Sequence, residues 1–327
     1  MSSQVYNYTK HTLPTGGKDA LLKIRTFLLA QGWVSEYYET SVEWGSDGGG
    51  GYQWNAGNDD YLQMSSNGHG GQTLRIRLYV WYDSGHTTHF RFYNNLIDPT
   101  ASSAPDSNSS TPPYAQDRMY SRGDYSFVSV PSGTFNELYI FGNHNYCLVL
   151  FRCTTTSMVQ INFGLPELFP EYRGYDIAYS SPGQNNVSGF YWEMIDLNQN
   201  QKYFYYPFIL ATGYDTMWIG DVGYNVNEMR INTYPGPGNT DSLVKYWMYM
   251  NDLIQVNSFT GKRILYQPMM LIKNDSEQWE YIGHHPCYVV KMAGLAVGEI
   301  IDYGDEQYIC FPIPSYGAMY GFALRIA

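Results

Sequence analysis

Residues 135–171 read FNELYIFGNHNYCLVLFRCTTTSMVQINFGLPELFPE, and this stretch decides the fold. Its apolar runs are residues 138–141, 146–152 and 158–163. β-Branched and aromatic side chains dominate them, which is typical of strands. The Gly-Asn-His-Asn break at 142–145 predicts a tight turn in which glycine and asparagine supply a positive φ. The stretch therefore predicts a three-stranded antiparallel meander.

The second and third runs differ in pattern. The second, Tyr-Cys-Leu-Val-Leu-Phe from Tyr146, is apolar throughout, which predicts a strand covered on both sides. In the third, Met158, Gln160 and Asn162 alternate with apolar residues. A period of two predicts that only the apolar face of this strand is buried. No catalytic group stands out in the meander, so its predicted role is structural.

The composition bounds the class of protein. The chain has 327 residues, 33 Tyr and 8 Trp but only 15% charged residues, which argues for sheets with wide contact surfaces and against disorder. The net charge of −11 disfavours nucleic acid as a partner. We find no apolar run long enough to span a membrane. The first ten residues also lack the pattern of a secretory signal.

The organisation predicted for the chain is mainly β, with antiparallel sheets in sandwich-like lobes and one N-terminal amphipathic helix. The helix covers 18–31, with Leu21, Ile24 and Leu28 on one face and Gly32 as its C-terminal cap. A break at 180–189 (SSPGQNNVSG) separates two predicted lobes, 1–180 and 181–327. The Ser- and Pro-rich residues 98–113 form a loop insertion in the first lobe.

Two further strands, 60–65 and 74–82, are predicted to form a hairpin across a Gly-rich loop. In the second, Leu74, Ile76 and Leu78 alternate with Arg75 and Arg77, which predicts one apolar face. The final third, 263–327, reads as a series of short strands.

The four cysteines do not form a disulfide framework. Cys147 and Cys153 are six residues apart, about 20 Å along an extended strand, and a bridge needs Cα atoms within about 7 Å. Cys287 and Cys310 are isolated, and no C-x-x-C pair suggests zinc. All four are predicted to be buried thiols, and no metal or other cofactor is expected.

Groups that could carry catalysis are few. His86 and His89 are three apart, and His284 and His285 are adjacent, so in strands each pair points to opposite faces. The remaining candidates are carboxylates, which glycoside hydrolysis uses in pairs. They form two groups, Asp59 with Asp60, and Asp302 with Asp305 and Glu306. We assign both groups to hydrophilic turns. The chain is therefore not expected to be an enzyme.

The abundant aromatic residues allow two interpretations. Aromatic rings stack on sugars when loops expose them, and they also fill protein interfaces. Alternation within the predicted strands favours core and interface. Trp54, in the glycine-rich segment 45–57, and Tyr114, after the Pro-rich tract, are the predicted exposed aromatics that could contact a partner or ligand.

Three parts of the chain together resemble a family of structural proteins from the virions of tailed bacteriophages and prophages. The first is DALLKIRTFLLAQGWV, residues 19–34. The second is DDYLQMSSNGHGGQTLRIRLYVW at 59–81 together with the meander at 138–171. The third is IGHHPCYVVKMAGLAVGEIIDYGDEQYICFPI, residues 282–313. The resemblance is one of strands and turns, covers about half of the chain in order, and departs at 48–51, 98–113 and 190–260.

This resemblance implies a repeated subunit of the tail, neck or collar, or baseplate of a phage particle, assembled in the bacterial cytoplasm. Its partners would be other copies of itself and other virion proteins. It implies no residue with a chemical role. Two alternatives stay open: a receptor- or carbohydrate-binding module of the tail that contacts a host-surface glycan, and a glycan depolymerase that uses paired carboxylates.

Overall fold

The fold is mainly β, with antiparallel sheets and a helix near the N-terminus. A computed structural model describes residues 5–12, 17–42, 59–66, 73–82, 87–97, 127–131, 137–152, 158–165, 167–170, 177–180, 189–196, 204–211, 216–217, 229–232, 248–249, 256, 258–267, 269–273, 279–312 and 320–327.

The described elements begin with β1 (Asn7–Thr12), α1 (Gly17–Ala30), β2 (Val34–Val42), β3 (Asp59–Ser66), β4 (Thr73–Tyr82), β5 (Thr87–Ile97) and β6 (Phe127–Pro131). The next are β7 (Glu137–Gly142), β8 (Tyr146–Arg152), β9 (Met158–Gly164), β10 (Glu167–Leu168), β11 (Ile177–Ser180), β12 (Gly189–Asp196) and β13 (Phe204–Ala211). The last are β14 (Thr216–Met217), β15 (Met229–Asn232), β16 (Met248–Tyr249), β17 (Leu265–Tyr266), β18 (Met269–Lys273), β19 (Trp279–His284), β20 (Cys287–Lys291), β21 (Glu299–Tyr303), β22 (Glu306–Pro312) and β23 (Tyr320–Arg325).

Three sheets form the layers that matter for the surface. The central sheet has seven strands in the order β1-β7-β8-β9-β11-β12-β13. The N-terminal sheet has five, β2-β3-β4-β5-β6, and the C-terminal sheet has five, β17-β20-β23-β22-β21. The other described strands form a four-stranded sheet, β10-β19-β18-β15, and the pair β14-β16.

The predicted meander is confirmed as β7-β8-β9, with β8 in the middle and buried on both faces from Tyr146 to Phe151. The expected one-sided burial of the third run is wrong. Gln160 and Asn162 are buried along with Ile161 and Phe163, because both faces of β9 are covered.

The turn between β7 and β8 also differs from its prediction. Gly142 does not have a positive φ. It is a glycine because a Cβ there would lie 2.5 Å from the Tyr146 carbonyl oxygen and 3.3 Å from the Phe27 ring. Asn143 closes the turn, since its Oδ1 accepts the backbone N–H groups of Asn145 (2.8 Å) and Tyr146 (3.0 Å).

The predicted helix and its cap are confirmed in α1. Gly32 has φ +88°, and the N–H groups of Gly32 and Trp33 donate to the carbonyls of Leu29 and Leu28. These bonds form a Schellman motif, which satisfies the carbonyls at the helix end. The motif turns the Trp33 ring into the core, where its Nε1 donates to the Asn143 carbonyl at 2.8 Å. The helix end is thereby fixed to the meander turn.

One core joins the helix, the N-terminal sheet and one face of the central sheet. It contains Leu21, Ile24 and Leu28 of α1, Leu62 and Met64 of β3, Ile76 and Leu78 of β4, and Cys147, Val149 and Phe151 of β8. The predicted hairpin of 60–65 and 74–82 is confirmed as β3-β4, and its predicted apolar face is buried at Ile76 and Leu78.

The C-terminal sheet covers the opposite face of the central sheet. The Phe311 ring meets Tyr139 at 5.0 Å and Phe141 at 5.5 Å, both edge to face. Phe322 stacks beside Phe311 at 5.5 Å, and the Tyr6 N–H donates to the Arg325 carbonyl. The central sheet is therefore the middle layer of the described structure.

Hydrogen bonds of the central sheet cross the predicted lobe boundary. Strands β11 and β12 lie on either side of residues 180–189 and pair with each other. Strands from both predicted lobes thus belong to one sheet, while the division at 180 itself stays a prediction. The loop insertion at 98–113 lies outside the described residues.

Candidate assembly surfaces

The two predicted exposed aromatics, Trp54 and Tyr114, lie outside the described residues, so their role stays a prediction. Within the described part of the chain, large apolar side chains are exposed in two regions. One region comprises Val5, Tyr8, Leu22, Leu29 and Val34 near the N-terminus. The other comprises Val256, Phe259 and Ile300 near the C-terminal sheet. Neither set was identified from the sequence.

The first region includes the outer face of α1. Leu22 and Leu29 are seven residues apart, so they project from the same side of the helix, opposite the buried stripe. Leu22 is 44% exposed and Leu29 is 41% exposed. The helix is held from several sides, because Asn7 Nδ2 donates to Gln31 Oε1 (2.7 Å) and Arg25 lies over the Tyr38 ring. The two leucines are therefore presented by a fixed element.

The second region contains strand β21, which is an edge of the C-terminal sheet. Residues Gly304 and Asp305 join it to β22, a two-residue hairpin loop in which Gly304 takes φ +79°. Ile300 and Asp302 are exposed, whereas Ile301 and Tyr303 are partly buried on the other face. The β21 edge thus has one solvent-facing side and one side that continues the core.

A turn beside this edge carries a nearly fully exposed phenylalanine. Phe259 is 95% exposed in the turn at 258–260, which is closed by a bridge between Val256 and Arg263. The turn is anchored to the sheet, because Arg263 donates to the carbonyls of Lys291 (2.7 Å) and Ala293 (2.6 Å). The Lys262 ammonium lies 5.3 Å from the centre of the Tyr303 ring. We refer to β21, its hairpin loop and this turn as the C-terminal edge surface.

Charged side chains fix the strands next to these surfaces. Glu137, the first residue of β7, binds Lys10 of β1 and accepts from Arg152 of β8 (2.7 Å) and from the Tyr139 hydroxyl (2.9 Å). Burial would raise the pKa of Glu137, but these three hydrogen bonds outweigh it and lower the pKa to about 2. The carboxylate therefore stays charged at neutral pH and joins three neighbouring strands.

The C-terminal sheet repeats this arrangement. Glu306 opens β22, accepts from the Tyr308 hydroxyl (2.7 Å) and pairs with Arg325 of β23 (3.0 Å). Burial, followed by the bond to Glu306, raises the pKa of Tyr308 far above its ordinary value. Glu306 is thus held in contacts within the C-terminal sheet.

Three of the other four carboxylate candidates lie in strands. Asp59 and Asp60 lie within β3 and pair with Val42 and Val80, so the assignment of this pair to a turn is wrong. In the second group, Asp302 lies in β21 and accepts from Gln307 Nε2 (2.9 Å), and only Asp305 lies in the turn.

The adjacent histidines His284 and His285 are both at least partly buried. His285 is buried, and its Nδ1 accepts from the Cys287 N–H (3.1 Å). Burial lowers its pKa to about 3, so the ring is neutral at physiological pH. His284 is half-buried and meets the Phe169 ring edge to face. His89 lies in β5, and His86 falls outside the described ranges.

Three of the four cysteines are described, and all three are buried free thiols as predicted: Cys147, Cys287 and Cys310. Burial raises the pKa of each, that of Cys310 to about 12. Cys153 lies outside the described residues. Within the residues described, no cluster of three or more His, Cys, Asp or Glu side chains is placed to hold a metal ion.

Comparison with known proteins adds no relative. No protein-family model matches the chain, and no curated protein matches it. No helix in the described part of the chain has the length and apolar character needed to cross a membrane.

Proposed function

We propose that the chain is a structural subunit of a tailed-bacteriophage particle, in the tail, neck or collar, or baseplate. It acts there through contacts with other copies of itself and with other virion proteins. The resemblance in three parts of the sequence supports this function. Those parts correspond to α1 with its Gly-Trp cap, the β3-β4 hairpin with the meander, and β19 to β22.

The observation that carries the proposal is the exposed leucine pair of α1. The helix already uses its other face to fill the core, and Leu22 and Leu29 lie outside that core with 44% and 41% of their surface exposed. Each of the two side chains is more than one third exposed. Covering this exposed part at an interface would contribute about 1 kcal/mol per residue. Apolar side chains exposed on a fixed element are a feature of protein interfaces.

A second candidate function rests on Phe259. An aromatic ring that is 95% exposed on a turn has the placement of a sugar-stacking platform. This observation favours the receptor- or carbohydrate-binding alternative, in which the particle contacts a glycan on the host surface. No described carboxylate pair gives comparable support to the depolymerase alternative.

The double variant Leu22→Gln, Leu29→Gln tests the main proposal. It is expressed in a bacterial host infected by a phage from which the gene for the parent chain has been deleted. Incorporation into purified particles should fall by at least about tenfold, since each lost apolar contact costs about 1 kcal/mol per subunit and repeated contacts add. The double variant Leu22→Met, Leu29→Met is the matched control, because it keeps both side chains apolar and of similar volume. Normal incorporation of the folded double variant would argue against this surface.

The two candidate functions differ in which assay fails. For Trp54→Ala with Tyr114→Ala, and separately for Phe259→Ala, the structural role predicts damaged assembly or no effect, and no glycan binding by the parent. The carbohydrate-binding role predicts complete particles that no longer adsorb to cells. Truncating a stacking ring would lose about 1–3 kcal/mol of binding, by analogy with stacking on bases.

A further inference from the structure

Strand β21 leaves one side of its backbone open among the described strands. On β22, the Gln307 N–H donates to the Ala327 carbonyl (2.9 Å), and the Gln307 carbonyl accepts from the Ile326 N–H (2.8 Å). The backbone N–H and C=O of Gln307 therefore point away from β21. Its cross-strand partner Asp302 must then direct its own N–H and C=O outward, and Ile300, two residues earlier, does the same.

The sequence of β21 is complementary to itself when two copies run antiparallel. Centred on Ile301, this pairing places Ile300 opposite Asp302 of the second copy, and the reverse. Both residues have outward-pointing backbone groups, so the two pairs would form about four hydrogen bonds. Centring on Asp302 instead would oppose two carboxylates, which is destabilising. Of these two registers, the one centred on Ile301 is favoured.

The side chains fit the same register. Ile301 would meet Ile301 of the second copy, on the face where Ile301 already packs against the C-terminal core. Glu299 would lie opposite Tyr303 of the second copy, within reach of its hydroxyl. Neither acid of the strand faces another acid directly. Both are also already engaged within the chain, since Glu299 accepts from the Ala296 N–H (2.7 Å) and Asp302 accepts from Gln307.

Three other described sheet edges carry features that oppose such pairing. Edge strand β1 has Lys10, whose side chain is 48% exposed, and lysine is a common guard on edges. Edge strand β13 contains Pro207, which lacks an N–H to donate. The opposite edge of the C-terminal sheet, β17, has only two residues. Strand β21 has neither lysine nor proline.

We propose that β21 pairs antiparallel with β21 of a second copy of this chain about a two-fold axis at Ile301, which makes one continuous sheet from two C-terminal sheets. This inference rests on the proposed function, because it names the partner and the surface that the subunit would use. The turn that carries Phe259 reaches β21 through Lys262, whose ammonium lies 5.3 Å from the centre of the Tyr303 ring. The net charge of −11 opposes association, so salt should strengthen the pairing.

The experiment measures self-association of the full chain by sedimentation velocity. Ile300→Pro removes an outward N–H but no bond to β22, and it should weaken association by at least about tenfold. Ile300→Thr is the matched control, because it keeps the outward N–H and a β-branched side chain, so association should be largely retained. A nonspecific apolar patch predicts the opposite, since it would lose affinity with either variant.

Cross-linking fixes the register. Ile301→Cys places a thiol at the axis, where Cα atoms of directly opposed residues lie about 4.5 Å apart and a disulfide forms readily. The matched control Glu299→Cys lies two residues from the axis, so its two copies would be about 14 Å apart and should not cross-link. Equal cross-linking of the two variants would overturn the proposal, as would unchanged association of Ile300→Pro. A chain that is monomeric alone yet present in particles would refute this contact and leave the proposed function intact.

Discussion

The substitution Glu137→Gln tests how the edge of the central sheet is stabilised. The side chain is 19% exposed and binds Lys10, Arg152 and Tyr139. A carboxyl whose pKa falls from 4.5 to about 2 on folding stabilises the fold by about 3 kcal/mol at neutral pH. Because Lys10 is half exposed and its interaction is screened, we expect Glu137→Gln to cost about 2 kcal/mol.

The pH dependence follows from the direction of the shift. The pKa of Glu137 is lower in the folded chain, so its contribution is complete above the unfolded pKa of 4.5 and disappears as the pH falls toward about 2. Urea unfolding of both proteins at pH 7 and pH 3.5 should show the difference in unfolding free energy shrinking by about 1 kcal/mol.

Glu306→Gln is the matched control for this substitution. Glu306 also binds a tyrosine and an arginine, Tyr308 and Arg325, but its side chain is 36% exposed. Glu306→Gln should therefore lower the free energy of unfolding by less than about 1 kcal/mol. Equal destabilisation by the two variants would refute the reasoning. So would a cost of Glu137→Gln that does not change with pH.

Two further predictions concern backbone and thiols. Gly164→Ala should destabilise the chain by at least about 3 kcal/mol in urea unfolding, because φ is +116° and a Cβ would overlap the Asn145 carbonyl; Gly304→Ala, with φ +79° and open space, should cost only about 1 kcal/mol. Equal costs would contradict the steric argument. Since Cys147, Cys287 and Cys310 are buried, no more than one of the four cysteines should react with a thiol reagent before unfolding, and reductant should leave the Tm unchanged. Fast reaction of two or more thiols in the folded chain would contradict their burial.

The sequence predicted those parts of the fold whose signals are local. The β3-β4 hairpin and α1 show a clear hydrophobic period, and the meander shows three apolar runs separated by turn residues. The burial of Gln160 and Asn162 was missed because they share a face with Tyr139, and the C-terminal sheet that packs on that face lies far away in the sequence. Gly142 was assigned the wrong role because its close contacts, the Tyr146 carbonyl oxygen and the Phe27 ring, depend on how the strands and the helix pack.

The candidate surfaces were less predictable than the fold. Strand β21 (EIIDY) has one exposed face and one partly buried face, but its Ile-Ile pair places an apolar residue on each, so the sequence shows no clean alternation. The Gly-Asp pair before β22 is nevertheless a signal for a two-residue hairpin. Phe259 was missed because nothing in the sequence around it distinguishes an exposed phenylalanine from a buried one. The exposed Leu22 and Leu29 were overlooked because the buried stripe of α1 explained the helix by itself.

The central claim is that this chain is a repeated building block of a phage particle. Quantitative mass spectrometry of purified particles from the host that carries this sequence tests it most directly. The account predicts several copies per particle, in a fixed ratio to other structural subunits that survives repeated density-gradient purification. A chain that is abundant in the lysate but present at less than about one copy per particle would contradict the claim, because a closed symmetric assembly requires multiple identical subunits.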